Sequence, residues 1–290
     1  MSEHRSIRLG LVQQAAAEDP AANRKRAEEA IRRAAARGAE LVCLQELFAS
    51  RYFPQEERAE LCGLAEPIPG PTSQQMAALA AELGVVLVVP IFERRAAGLY
   101  HNSALVLDAD GSQAGLYRKM HLPDDPGFYE KFYFTPGDRG FAAFDTAVGR
   151  IGVLICWDQW FPEAARLVAL DGAQLLLYPT AIAWLDEDGP EEQAAQRESW
   201  RIAQRAHAIS NGVFVAAANR VGREDRLHFY GSSFVCDPQG RMLAESPSDA
   251  EDVLLVDCDL GRIEAQRLGW PFLRDRRVDA YQDLSRRFRR

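Results

Sequence analysis

The sequence predicts an α/β chain built as a four-layer α-β-β-α sandwich with internal pseudo-twofold symmetry. Two observations carry this. One order of apolar runs and helical periods occurs twice along the chain, and the apolar runs are uninterrupted rather than alternating. Strands of that kind are buried on both faces, which suits two sheets packed together with helices outside. A Rossmann-type open sheet is the structural rival, but no G-x-G-x-x-G follows the first apolar run.

In the first half, RLGLVQ reads as a buried strand. A helix is expected over residues 23–37, where Ala27, Ala30, Ile31, Ala34 and Ala35 recur at helical spacing and Gly38 supplies a stop. The strand GAELVCLQE comes next. After the proline-rich loop EPIPGPT, a second helix is expected over 73–83, closed by Gly84 and leading into VVLVVPIF. A hairpin then spans NSALVLDADGSQAGLYRK, turning at Asp110-Gly111.

The second half repeats the plan. RIGVLICWD is a strand and PEAARLVALDG a helix with proline in its first turn. GAQLLLYPT mirrors GAELVCLQE, a long helix is expected over about 191–210, and GVFVAAAN mirrors GVVLVVPI. A hairpin, SSFVCDPQGRMLAES, and a last strand, VLLVDCDL, complete it. The expectation is one domain over 1–290 made of two similar halves, with a C-terminal arm over about 261–290. Trp270, Pro271, Phe272 and Tyr281 in that arm want something to pack against, either within the chain or in a homo-oligomer.

Composition narrows the function. The 290 residues are 47% hydrophobic and 26% charged, an ordinary globular balance. A net charge of -8 gives no nucleic-acid surface, and the terminal run Arg286-Arg287-Phe288-Arg289-Arg290 reads as a solvated tail. No apolar run approaches the roughly 20 residues of a membrane span, and the N-terminus lacks the apolar core of a signal peptide, so a cytoplasmic protein with no membrane partner is expected. Cys43, Cys62, Cys156, Cys236 and Cys258 are odd in number and form no C-x-x-C pair. His4, His101, His121, His207 and His228 form no metal-binding spacing either, so neither a disulfide framework nor a metal is expected.

The chemistry-bearing residues close the apolar runs. Cys156 ends IGVLIC just before a helix start, where backbone N–H groups favour a thiolate and an oxyanion. The bland alternative is a buried cysteine packing as a small hydrophobe. Glu46 ends LVCLQE, and is either a structural charge at a strand end or a general base. Lys119 ends the hairpin, flanked by Tyr117, Met120 and Leu122. Together the three supply a nucleophile, a base and a cation at converging strand ends. Pairing of Cys156 with His121 or His207 remains an alternative, as does a redox role with Cys43 or Cys258 as the resolving thiol.

Three long stretches, CLQELFASRYF, YRKMHLPDDPGFYEKFYFTPGD and ICWDQWFPEAARL, give the chain its resemblance to the nitrilase superfamily of C–N hydrolases. The resemblance runs from RLGLVQ to VDCDL. It implies a Glu46-Lys119-Cys156 triad, Glu130 as a second active-site glutamate, the Trp157 backbone N–H as an oxyanion donor, and no cofactor. The combination of ELF…YF, MHLPDDPGFYEK, CWDQWFPE, YPTAIAW and SNGVFVAAANRVG is most similar to the branch that hydrolyses N-carbamoylputrescine, which implies a small cationic ureido or amide substrate. Tyr52, Trp184 and Glu187 are the expected substrate contacts. The loop AWLDEDGPEE agrees with a cationic substrate, although acidic residues opening a helix also suit its dipole. One departure is Ala183, where the family commonly carries glycine after Ile182. The rival readings are a β-ureidopropionase-like or ω-amidase-like enzyme acting on an acidic substrate, and a catalytically silent ligand-binding module.

Overall fold

The computed structural model describes residues 5–289; residues 1–4 and Arg290, the last member of the terminal basic run, lie outside it. The first half comprises β1 (Ser6–Gln13), α1 (Pro20–Ala36), β2 (Leu41–Cys43), α2 (Pro71–Leu83), β3 (Val86–Ala96), β4 (Leu99–Leu107) and β5 (Gln113–Arg118). A one-turn helix, α3 (Glu130–Tyr133), and β6 (Ala143–Thr146) lead into the second half. This contains β7 (Gly149–Val153), α4 (Pro162–Leu170), β8 (Leu175–Thr180), β9 (Ala183–Leu185), α5 (Pro190–Asn211), β10 (Phe214–Asn219), β11 (Val221–Glu224), β12 (Leu227–Tyr230), β13 (Phe234–Cys236) and β14 (Met242–Glu245). β15 (Asp252–Asp259) and α6 (Gly261–Gly269) follow.

Two six-stranded sheets run β15-β1-β2-β3-β4-β5 and β6-β7-β8-β10-β13-β14. The strand order of one half therefore repeats in the other, as the sequence repeat predicts. Each sheet is completed by a strand that enters from the end of the preceding half. β6 lies antiparallel to β7, and β15 returns across the molecule to lie antiparallel to β1 along its whole length.

Side-chain alternation assigns the layers. Ile7, Leu9 and Leu11 of β1 share one core with Ile151 and Val153 of β7 and with Leu175 and Leu177 of β8, which seals the two sheets face to face. Val12, Val42, Leu87 and Val89 point the other way, onto Ala27, Ile31 and Ala34 of α1 and Met76 and Leu79 of α2. On the opposite outside, α4 contributes Ala164, Ala165 and Val168, and α5 contributes Trp200 and Ala208. The order is helices, sheet, sheet, helices.

The helix caps follow local chemistry. Asp19 accepts from the Ala21 N–H ahead of α1, and prolines occupy the first turns of α1, α2, α4 and α5. Gly84 and Gly212 close α2 and α5 in the left-handed region, with φ of 65° and 59°.

The sequence reading misses several elements. VVLVVPIF continues into a β3–β4 hairpin that turns at Gly98, where φ is 72°. Short β9, β11 and β12 form a third sheet beside the main pair. The arm begins with α6, whose Ile263 and Gln266 are buried, while Trp270, Phe272 and Tyr281 are exposed. No helix among the described residues is long and apolar enough to cross a membrane.

Candidate active site

The three strand-end residues singled out by the sequence, Glu46, Lys119 and Cys156, and Glu130 at the start of α3 lie in one buried cluster. Lys119, which follows β5 directly, is completely buried. Its Nζ donates to Glu46 Oε1 at 2.8 Å and to Glu130 Oε2 at 2.6 Å. Glu46 Oε1 also accepts from Asn102 Nδ2 at 2.6 Å, and Glu130 Oε1 accepts from the Tyr52 hydroxyl at 2.7 Å. Glu46 Oε2 is the one carboxylate oxygen of this cluster that is buried with no hydrogen-bond partner.

Cys156 opens a 3-10 turn, Cys156–Trp160, at the end of β7, with φ of 43°. That left-handed conformation is rare outside glycine and is a local strain of the kind that collects at functional sites. Leu47, next to Glu46, has a φ of 49°. Two of the three segments that carry the expected triad thus turn sharply at the functional residue or beside it.

The electrostatics are those of a tight charge cluster. Burial pushes the Cys156 thiol well up, and Glu46 and Glu130 push it further. Lys119 and a backbone hydrogen bond from Ala181 act in the opposite sense. Desolvation disfavours the Lys119 ammonium, but Glu130, Glu46 and Cys156 outweigh it and hold its pKa above the usual lysine range. Burial raises the Glu130 carboxyl to about 7, with Lys119 opposing and Glu46 reinforcing. The Tyr52 hydroxyl is pushed up by burial first and then by Glu130.

A buried ion pair braces the segment between Glu46 and Tyr52. Arg220 Nη1 donates to Glu224 Oε1 at 2.6 Å, and its Nη2 donates to the carbonyls of Glu46, Leu47 and Ser50. Glu224 Oε2 accepts from the Tyr52 N–H at 2.6 Å. Sequence reasoning passes over both residues, although a charge in the apolar stretch FVAAANRV is a visible signal.

Cys156 lines a cavity of about 480 Å³ together with Trp157 and Tyr52. Asp125, Asp188 and Glu192 supply carboxylates to its wall, and Ala183 takes part in the lining. No lysine or arginine is among the lining residues.

Two expected substrate contacts are elsewhere. Glu187 is exposed and pairs with Arg226 at 2.8 Å, just as Asp186 pairs with Arg223 at 2.5 Å. Trp184 packs against Tyr230 at 4.6 Å between ring centroids and donates its indole N–H to the Gln193 carbonyl. The two pairs to the β11–β12 hairpin turn Asp186 and Glu187 outward, so Asp188 and Glu192 face the cavity in their place.

The histidine alternatives find other partners. His121 bonds to Asp158, and His207 Nε2 bonds to the Gln159 carbonyl. Cys43, Cys62, Cys156, Cys236 and Cys258 are all free thiols. Among the described residues, no group of three or more His, Cys, Asp or Glu side chains is arranged to hold a metal ion.

A layered sandwich with a buried Cys-Glu-Lys cluster at its strand ends defines a hydrolase of carbon–nitrogen bonds, and sequence comparison agrees. The carbon-nitrogen hydrolase family model matches residues 8–268, and the chain belongs to that family. It is 43% identical to the N-carbamoylputrescine amidase of Solanum lycopersicum over 97% of this chain and 96% of that one. The crystal structure of a carbon-nitrogen hydrolase from Helicobacter pylori G27 superposes with a TM-score of 0.96 at 46% identity, covering 98% of this chain and 100% of the other. An amidase from Nesterenkonia sp. AN1, 27% identical with a TM-score of 0.78 and 96% of each chain covered, carries the acetamide moiety of fluoroacetamide covalently at its active-site cysteine.

Proposed function

We propose that this amidohydrolase converts N-carbamoylputrescine to putrescine, carbon dioxide and ammonia through a thioester on Cys156. The observation that carries the substrate class is the cavity wall, where Asp125, Asp188 and Glu192 stand with no lysine or arginine beside them. Such a wall attracts an ammonium tail and repels a carboxylate. The ω-amidase-like and β-ureidopropionase-like alternatives want a cation in that place.

In the proposed sequence, Glu46 Oε2 takes the thiol proton and the sulfur attacks the ureido carbon. The oxyanion gathers against Lys119 and the Trp157 N–H, preorganised donors that need no rearrangement as charge develops. The tetrahedral intermediate collapses as Glu46 returns the thiol proton to the leaving NH2 group, which departs as ammonia. Water, deprotonated by Glu46, then adds to the thioester and expels the thiol. The carbamic acid so released decomposes to putrescine and carbon dioxide. Glu130 and Tyr52 keep the Lys119 ammonium in place.

Asp188→Asn and Glu192→Gln test the substrate assignment. Each should raise KM for N-carbamoylputrescine by about tenfold while kcat changes little, because the lost attraction acts on the bound tail and not on the reacting carbon. An unchanged kcat/KM in the double variant would remove these carboxylates from recognition. The reading includes a cytoplasmic homo-oligomer, supported by exposed Trp270, Phe272 and Leu284 in the arm. A solution mass of one 32.3 kDa chain would contradict the oligomer.

A further inference from the structure

Asp158 lies two residues beyond Cys156, is completely buried, and accepts four hydrogen bonds. Its Oδ2 takes the Ile155 N–H at 2.9 Å and the Tyr117 hydroxyl at 2.7 Å. Its Oδ1 takes the His121 N–H at 3.0 Å and His121 Nδ1 at 2.7 Å. Ile155 immediately precedes Cys156, while Tyr117 and His121 stand two residues to either side of Lys119. One carboxylate thus ties the strained turn bearing the sulfur to both flanks of the residue bearing the ammonium. The His121 ring is held in turn by Phe161, stacked at 3.7 Å between centroids with the planes 5° apart.

From this bracket we infer that Asp158 is a positioning residue for the reaction, fixing Cys156 against Lys119 across the two sheets. The inference rests on the reading of Cys156 as the nucleophile. Four donors satisfy an ionised carboxylate fully. An asparagine at this position cannot match them, because its NH2 group must face either the Ile155 N–H or the His121 N–H. The tyrosine hydroxyl and the imidazole can reverse their polarity, whereas a backbone N–H cannot. The isosteric change therefore releases one arm of the bracket while leaving the packing volume unchanged. Misplacement of the reacting sulfur by a fraction of an ångström lowers the rate of attack, while the distant carboxylates keep binding the substrate tail.

The test compares the parent protein with Asp158→Asn and Tyr117→Phe. It measures kcat and KM for N-carbamoylputrescine together with the second-order rate of Cys156 alkylation by iodoacetamide, on protein shown to be folded by its thermal transition. Asp158→Asn should lower kcat by about tenfold or more with KM within about twofold, and should slow or shift the pH profile of alkylation. Tyr117→Phe removes one of the four bonds and should reproduce the effect at about threefold. It decides the matter by the same readouts if Asp158→Asn does not fold. Folded variants with parental kcat and parental alkylation would overturn the inference. Cys156→Ala separates the two levels: retained turnover there would defeat the nucleophile assignment, whereas a dead Cys156→Ala beside a fully active Asp158→Asn would defeat the bracket alone.

Discussion

Glu130 shows how burial sets a protonation state here. Its carboxyl sits between Lys119 and Tyr52 and is raised by burial from 4.5 to about 7, despite the ammonium at 2.6 Å. A group whose folded pKa is raised binds more protons in the folded than in the unfolded chain between those two values. Its contribution to stability is therefore fully present below about 4.5 and is lost as the pH rises through about 7. Glu130→Gln removes this linkage, so its unfolding free energy should decline less than the parent's between those pH values. Denaturant melts across that range measure both slopes, and equal slopes would show that Glu130 does not titrate there.

Residue identity alone is legible where an apolar run closes on a chemically unusual side chain, which is how Cys156, Glu46 and Lys119 stand out. Glu187 illustrates the opposite case. Six residues, LDEDGP, offer three carboxylates, and the one that reaches the cavity depends on Arg223 and Arg226, nearly forty positions further on. No local pattern contains that pairing. Asp158 was within reach, as a lone charge in the apolar stretch ICWDQWF, but its four donors come from segments that meet only in the folded chain.

Among the elements, the repeat was the most legible feature because it is written in periodicity. The short third sheet was not, since β9, β11 and β12 are only three or four residues each and depend on one another for pairing. The repeat is inexact in its packing. Gly10 and Gly152 occupy matching places in RLGLVQ and RIGVLI, each beneath a helix. A methyl on Gly10 would meet Ala34 Cβ at 3.3 Å, whereas one on Gly152 would meet Val168 Cγ1 at 2.2 Å. Gly152→Ala should therefore cost about 1–3 kcal/mol by forcing α4 off the sheet. Gly10→Ala should stay within about 1 kcal/mol of the parent, since the lost flexibility of the unfolded chain offsets a mild contact. Thermal melts of the two variants compare them, and equal loss in both would show that the halves pack alike.

For the whole molecule, the pairing of β15 with β1 binds the second half to the first sheet, while Glu46, Lys119 and Cys156 stand beyond the ends of β2, β5 and β7. The buried Glu46-Lys119-Glu130 cluster stands behind Cys156, which lines a cavity together with Asp125, Asp188 and Glu192. In the proposed function, this cluster sets the reaction class and the cavity wall sets the substrate. The decisive experiment is ammonia release from purified protein supplied separately with N-carbamoylputrescine and N-carbamoyl-β-alanine, two ureas of opposite tail charge. A kcat/KM higher for the cationic urea by about a hundredfold is the expected result. Equal rates, or preference for the anionic urea, would contradict recognition by Asp188 and Glu192 while leaving carbon–nitrogen hydrolysis at Cys156 in place.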